Sequence, residues 1–210
     1  MDMQQQITSF HLDVLKEIGN IGAAHAATAL SALLNTKIDM HVPKVEMVSF
    51  NDMMERVGGA ETFVTGIYLR IEGDIRGGMF FIMPVEQANL LIRKLIHDEQ
   101  FNFAQTPSEL GMSAMQEMGN ILSGSYLSAL SDFTKLKLYP TPPALASDMF
   151  GAIISIGLIE ISQISDYVIV IDTSIIEEDE TDQTEEVSGH FFLIPDPMSF
   201  STIFKSLGVE

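Results

Sequence analysis

The sequence predicts a mixed α/β (α+β) fold that is duplicated internally about a pseudo-two-fold axis, with a shared β-sheet flanked by two long helices. Three observations lead there. A helical segment occurs twice, each half carries a pair of β-branched strands, and the composition is globular: 46% of the 210 residues are hydrophobic and 19% charged. That is enough apolar surface to bury a core.

The repeat is read first, because it organises the rest. Residues 13–34 (DVLKEIGNIGAAHAATALSALL) align with residues 113–131 (SAMQEMGNILSGSYLSALS) on Gly19-Asn20 and Gly119-Asn120. The match continues downstream. Lys37–Met40 with Pro43 pairs with Lys135–Leu138 and Pro140, and Asn51-Asp52-Met53 with Ser147-Asp148-Met149. The segment 77–95 pairs with 188–207. The chain is therefore expected to be one domain, 1–210, built from repeats at approximately 8–98 and 107–208. Each repeat has the order long helix, extended strand, short helix, two strands, closing helix.

Each element has its own signal. The spacing of apolar residues through Leu15, Ile18 and Gly22, and on through Ala26 and Leu30, predicts one long helix. Met115, Met118 and Leu122 do the same in the second half, after a start marked by Thr106, Pro107, Ser108 and Glu109. Residues 98–107 read as a link between the halves. Thr62–Ile71 and Tyr167–Ile176 are rich in β-branched and aromatic residues and read as strands. Gly73-Asp74 marks a tight turn before a partner strand at Met79–Met83. The equivalent turn in the second half is swollen by the acidic run Glu177–Glu186, read as a solvated hairpin loop, with steering of a basic partner as the other reading. Residues 148–162 suit a buried strand or a buried helix equally by periodicity. Analogy with Asp52–Val57 favours a short helix capped by Asp148.

Charge and composition exclude several functions. Eleven basic against twenty-nine acidic residues give a net charge of −18, which disfavours nucleic-acid phosphates and anionic membranes as main partners. The absence of cysteine removes disulfides, thiolate nucleophiles and cysteine metal sites. The start, MDMQQQITSF, lacks a signal peptide's basic and apolar regions, and Met149–Ile159 is too short to span a bilayer. A cytoplasmic protein is expected.

The chemistry concentrates on one stripe of each long helix. At about 100° per residue, Asp13, Glu17 and Asn20 fall within about 60° of arc, opposite the core-facing side. Ser113, Glu117 and Asn120 repeat the arrangement. A Gly-Asn pair can end a helix, and E-x-x-N on a polar face is commonly mere solvated surface. The apolar pattern, however, runs on past both pairs. Each helix then bears an interior Gly, at about 1 kcal/mol relative to Ala, which points to a surface that something approaches closely. A glutamate and an asparagine with no His or Lys partner on the same face cannot form a nucleophilic triad. The five histidines lack metal-ligand spacing, and GNIGAA lacks the lysine and preceding strand of a phosphate-binding loop. A carboxamide can still orient a water, and a carboxylate can pair with a partner's cation. For phosphoryl hydrolysis through a loose transition state, such positioning supplies much of the catalysis.

The pattern [DS]-x-x-x-E-x-x-N, present as Asp13/Glu17/Asn20 and Ser113/Glu117/Asn120, resembles the signature of the CheC/CheX/FliY phosphatases of bacterial chemotaxis. Two intact motifs resemble the CheC type within it, and the likeness spans about residues 8–208. The resemblance implies hydrolysis of the aspartyl phosphate of the response regulator CheY. Glu17 and Glu117 would anchor a regulator lysine; Asn20 and Asn120 would orient the attacking water. Mg²⁺ would come with the regulator, leaving this chain without a cofactor of its own. Asp13 and Ser113 would be supporting motif positions. The resemblance also implies a second partner, the deamidase CheD, docking near the second short helix around Asp148. Two other functions stay open at this point: a non-catalytic flagellar-switch or chemoreceptor-adaptor binding module, and a metal-dependent hydrolase.

Overall fold

The computed structural model describes residues 7–105, 108–161, 167–178 and 184–208. Both halves use the same order. The first is α1 (Ser9–Leu34), β1 (Lys37–His41), β2 (Val45–Ser49), α2 (Phe50–Arg56), β3 (Phe63–Gly73), β4 (Gly77–Pro84) and α3 (Val85–Ile96). The second is α4 (Glu109–Thr134), β5 (Leu138–Pro140), β6 (Ala144–Met149), α5 (Phe150–Ile161), β7 (Tyr167–Glu178), β8 (Thr184–Pro195) and α6 (Pro197–Ser206). The single extended strand expected after each long helix is two short ones. Proline is the cause: Pro43 in one half and Pro142-Pro143 in the other offer no N–H to a ladder.

All strands join one antiparallel sheet in the order β1-β7-β8-β4-β3-β5, with β2 also on β7 and β6 also on β3. The β3–β4 and β7–β8 hairpins meet along a central seam, where Gly77–Ile82 run against His190–Pro195. The halves exchange strands. β1 and β2 from the first half pair with β7 of the second, and β5 and β6 pair with β3 of the first.

Alternation along the central strands assigns each helix to a face. Met79, Phe81, Met83, Ile169, Ile171, Phe191 and Leu193 point to one side, where α1, α4, α3 and α6 cover them. Phe80, Ile82, Val168, Val170, Phe192 and Ile194 point to the other, against Met53 of α2 and Phe150, Ile153 and Ile154 of α5. The linking segment is no loose tether. Phe101 and Phe103 are buried edge-to-face, 4.7 Å apart, and the buried Asn89 accepts the Phe103 N–H at 2.8 Å.

Several expectations need correction. Residues 150–161 are helical, as analogy favoured, but Asp148 does not cap them: it is the penultimate residue of β6 and its Oδ1 accepts from Met149 N. The first N–H groups of α5 go instead to main-chain carbonyls, Phe150 N to Thr62 O and Gly151 N to Ala60 O, both at 2.8 Å. The structure aligns Phe50 with Phe150 at the two helix starts, so Asn51-Asp52-Met53 is not the counterpart of Ser147-Asp148-Met149. The acidic run is not all loop either. Glu177 pairs in register with Glu185 and forms an ion pair with Lys94, while Ser174 donates to Glu186. Its centre, residues 179–183, lies outside the described residues, as do Thr106 and Pro107.

A polar cluster ties the α2 end of the sheet together. Arg56 Nη1 donates to both carboxylate oxygens of Asp172 at 3.0 and 2.9 Å, its Nη2 meets Glu46, and His190 Nδ1 lies 2.8 Å from Asp172 Oδ1. Burial by itself would raise the Asp172 pKa. The His190 hydrogen bond and the Arg56 charge outweigh it and hold the carboxyl below its usual value. A carboxyl lowered in the folded state stabilises the fold above its unfolded pKa, about 4, and loses that contribution as pH falls through the folded value. Asp172→Asn is therefore expected to cost about 1–3 kcal/mol at pH 7. Its denaturant midpoint should approach that of the wild type as pH is lowered below about 4, which urea titrations across that range would measure.

Candidate functional site

The two motif helices are continuous through their Gly-Asn pairs, with 26 residues in each. Ser108 Oγ caps α4 by accepting from Gly111 N at 3.2 Å, and at the head of α1 the Thr8 N–H donates to His11 Nδ1 at 2.9 Å. His11 is buried against Phe204, with ring centroids 4.4 Å apart. Both helices stop on a left-handed residue, Asn35 (φ 52°) or Lys135 (φ 59°).

The polar stripes face solvent. Asp13, Glu17, Ser113, Glu117 and Asn120 are exposed and Asn20 is half-buried, while Leu15, Ile18, Met115, Met118 and Leu122 are buried behind them. Among the described residues, the side chains of Asp13, Glu17 and Ser113 have no hydrogen-bond or ion-pair partner in the protein. Glu17 is therefore an available carboxylate, and Glu117 is an exposed one met by Asn120 of its own helix. Also among the described residues, no three His, Cys, Asp or Glu side chains converge as metal ligands.

The glycines of the motif do a different task from the one their position suggested. They admit the protein's own core rather than a partner. A Cβ on Gly119 would stand 2.4 Å from Ile67 Cδ1, one on Gly19 3.2 Å from Val42 Cγ2, and one on Gly22 3.0 Å from the Tyr126 Cα of the neighbouring motif helix. The helix cost of glycine is thus exchanged for close packing of α1 on α4, and of both on the sheet. Tyr126, beneath α1, is buried and donates to or accepts from Thr173 at 3.0 Å. Burial raises its pKa to about 12, against a smaller opposing effect of that hydrogen bond.

The connectors between β1 and β2 and between β5 and β6 run past the two stripes, and the residue before each motif Glu holds one. Lys16 Nζ donates to Pro43 O at 2.6 Å; Gln116 Nε2 donates to Pro143 O at 3.1 Å. Beyond this the copies differ. Asn20 Oδ1 accepts the Val42 N–H at 2.8 Å, whereas Asn120 Nδ2 lies 3.4 Å from Glu117 Oε2 of its own helix. Lys16, Gln116 and the connectors escaped sequence reasoning. The signal was present: carrying the strict 100-residue offset of the Gly-Asn pairs onward pairs Pro43 with Pro143 and Val42 with Pro142. Asp148 is exposed on β6, beside Met149, which opposes Phe63 across the ladder; both apolar side chains are exposed.

Comparison with known proteins places this architecture. Its fold is that of the FliY and FliM structures. Thermotoga maritima FliY superposes with a TM-score of 0.73 at 17% identity, covering 96% of this chain and 98% of that one. The FliM middle domain from H. pylori gives 0.68 at 10% identity, covering 95% and 99%. The sequence narrows the class. The model of the CheC-like family matches residues 10–47 and 110–147, the two helix-and-connector segments. The chain is also 46% identical, over 211 aligned positions and the full length of both proteins, to the CheY-P phosphatase CheC of Bacillus subtilis (strain 168). The chain belongs to the CheC-like family.

Two glycines of α4 provide a test of the packing argument. Gly119→Val should lower stability by about 1–3 kcal/mol through overpacking against Ile67. Gly124→Ala, whose new Cβ meets nothing within 4 Å, should raise it by up to about 1 kcal/mol through helix propensity. Chemical denaturation of the two variants distinguishes the effects.

Proposed function

We propose that this chain is a CheY-P phosphatase that hydrolyses the aspartyl phosphate of a response regulator at two sites, Glu17/Asn20 and Glu117/Asn120. The full-length identity to a CheY-P phosphatase carries the reading. The outward placement of both stripes on rigid helices supports it. The two repeats act as one domain.

In this mechanism each glutamate pairs with a lysine of the docked regulator and fixes the helix over its phosphoaspartate. The asparagine amide accepts a hydrogen bond from a water and aligns its lone pair with phosphorus. Water oxygen bonds to phosphorus as the bond to the aspartyl oxygen breaks. The regulator's carboxylate leaves with the bonding electrons, and inorganic phosphate departs with the water's oxygen and its two protons, one of which passes to solvent at neutral pH. Mg²⁺ would come with the regulator and would supply charge neutralisation at the phosphoryl group. Positioning of this kind needs no nucleophile from this chain, consistent with a Glu–Asn pair that supplies a carboxylate and an amide. Asp13 and Ser113, at the head of each stripe, contact the regulator's surface. No helix among the described residues is long and apolar enough to cross a membrane. As the partner is a response regulator, we place the reaction in the cytoplasm.

Removing a preorganised positioning group typically costs 10²–10³-fold. An Asn20→Ala/Asn120→Ala double variant is therefore expected to lose at least about a hundredfold in the rate of phosphate release from phosphorylated regulator with Mg²⁺. Regulator that decays equally fast with and without wild-type protein, or binds it tightly without turnover, would identify a binding module instead. For the second partner, CheD, we place docking at the exposed corner of Asp148, Met149 and Phe63. Asp148→Lys should weaken deamidase binding about tenfold or more in a titration, with phosphatase activity of the isolated protein retained.

A further inference from the structure

The two sites differ in one main-chain hydrogen. Val42 of the β1–β2 connector donates its N–H to Asn20 Oδ1 at 2.8 Å. The tethers Lys16–Pro43 and Gln116–Pro143 show that the β5–β6 connector runs past α4 in the same register. The residue that stands where Val42 stands is then Pro142, which has no N–H to give. The exposures agree with this chemistry: Asn20 is half-buried against its connector, and Asn120 is exposed. Gly19 makes the contact possible, since its missing Cβ leaves room for the buried Val42 side chain, 3.2 Å from where that Cβ would stand.

We infer that the Val42 N–H is a clasp on the first site, holding the Asn20 side-chain oxygen against the protein in the unbound state, and that Pro142 leaves the second site unclasped. This rests on the reading of both asparagines as water-positioning groups. To aim its oxygen at a water on a docked acyl phosphate, Asn20 turns away from Val42 and gives up that bond. Asn120 has no such bond on its oxygen to break; its contact with Glu117 Oε2, at 3.4 Å, engages the amide nitrogen instead. An ordinary hydrogen bond of this type is worth about a factor of five in an equilibrium, so the first site turns over about fivefold more slowly than the second. The clasp acts on the asparagine and not on docking; it lowers kcat and leaves KM alone.

The test has two arms. Amide hydrogen exchange followed by NMR on the unbound protein reads the clasp directly. Val42 N–H is protected, and loses at least about fivefold of that protection in Asn20→Ala. Unchanged protection in Asn20→Ala overturns the inference whatever the enzymology shows, and this arm keeps its meaning even if the protein has no phosphatase activity. The second arm transplants the clasp. In an Asn20→Ala background, where only the second site works, Pro142→Ala restores an N–H. It is expected to lower kcat about fivefold at constant KM, with a residue-142 amide whose protection depends on Asn120. An unprotected amide at 142 shows the connectors are not equivalent, and a protected one with unchanged kcat shows the clasp does not restrain catalysis; either overturns the proposal. Activity lost entirely in the double Asn variant, together with a failed clasp, separates failure here from failure of the phosphatase reading.

Discussion

The structure depends on the central seam, where β4 and β8 pair with alternating side chains that are apolar on both faces. A strand with two buried faces leaves no solvated side, so helices must cover the sheet above and below. The parity of that alternation sorts the layers. Phe81 and Phe191 call for the long helices, Phe80 and Phe192 for the short ones. Helices α1 and α4 are wide enough in their apolar arc to lie flat on one layer, and this leaves a single outward stripe on each. The chemistry of the stripe is thus a by-product of how deeply the other side of each helix is committed.

Much of this was legible in the sequence. Helices announced by 3.6-residue spacing and strands announced by β-branched runs are local signals, and α1, α4, β3 and β7 are where the pattern puts them. The outward aim of Glu17 and Glu117 came from the same wheel. What escaped was non-local. Pairing of β1 with β7 leaves no mark on the periodicity of either strand. Phe150, Ile153 and Ile154 are buried against the sheet while Ala152 is exposed, but the exposed position is apolar as well, so the period carried no information. Asp148 resembled a cap because capping is a side-chain habit of aspartate, yet α5 finds its acceptors in the Ala60 and Thr62 carbonyls instead. Phe101 and Phe103 lay in a segment that composition marked only as a connection.

The motif glycines show how one residue can mislead and inform together. Read as helix-interior costs, they pointed correctly to close approach, but the approaching groups are Ile67, Val42 and Tyr126 of the same chain. Stiffness is what the proposed water-positioning role would require. An asparagine that orients water is useful only on a scaffold that does not move, and a glycine that lets its helix press onto the sheet supplies that scaffold one residue away. The neighbouring connectors then set the local polarity around each amide, and there the copies have drifted apart.

The exchange of β1, β2, β5 and β6 between halves has a consequence for how such a molecule can vary over generations. A lone half would have no strands of its own to flank its hairpin and would need a second copy, whose mutations would then be identical by necessity. Fusion into one polypeptide makes that association intramolecular and indifferent to dilution. It also releases each lobe from copying the other, so that a valine can be kept on one side and a proline on its mirror.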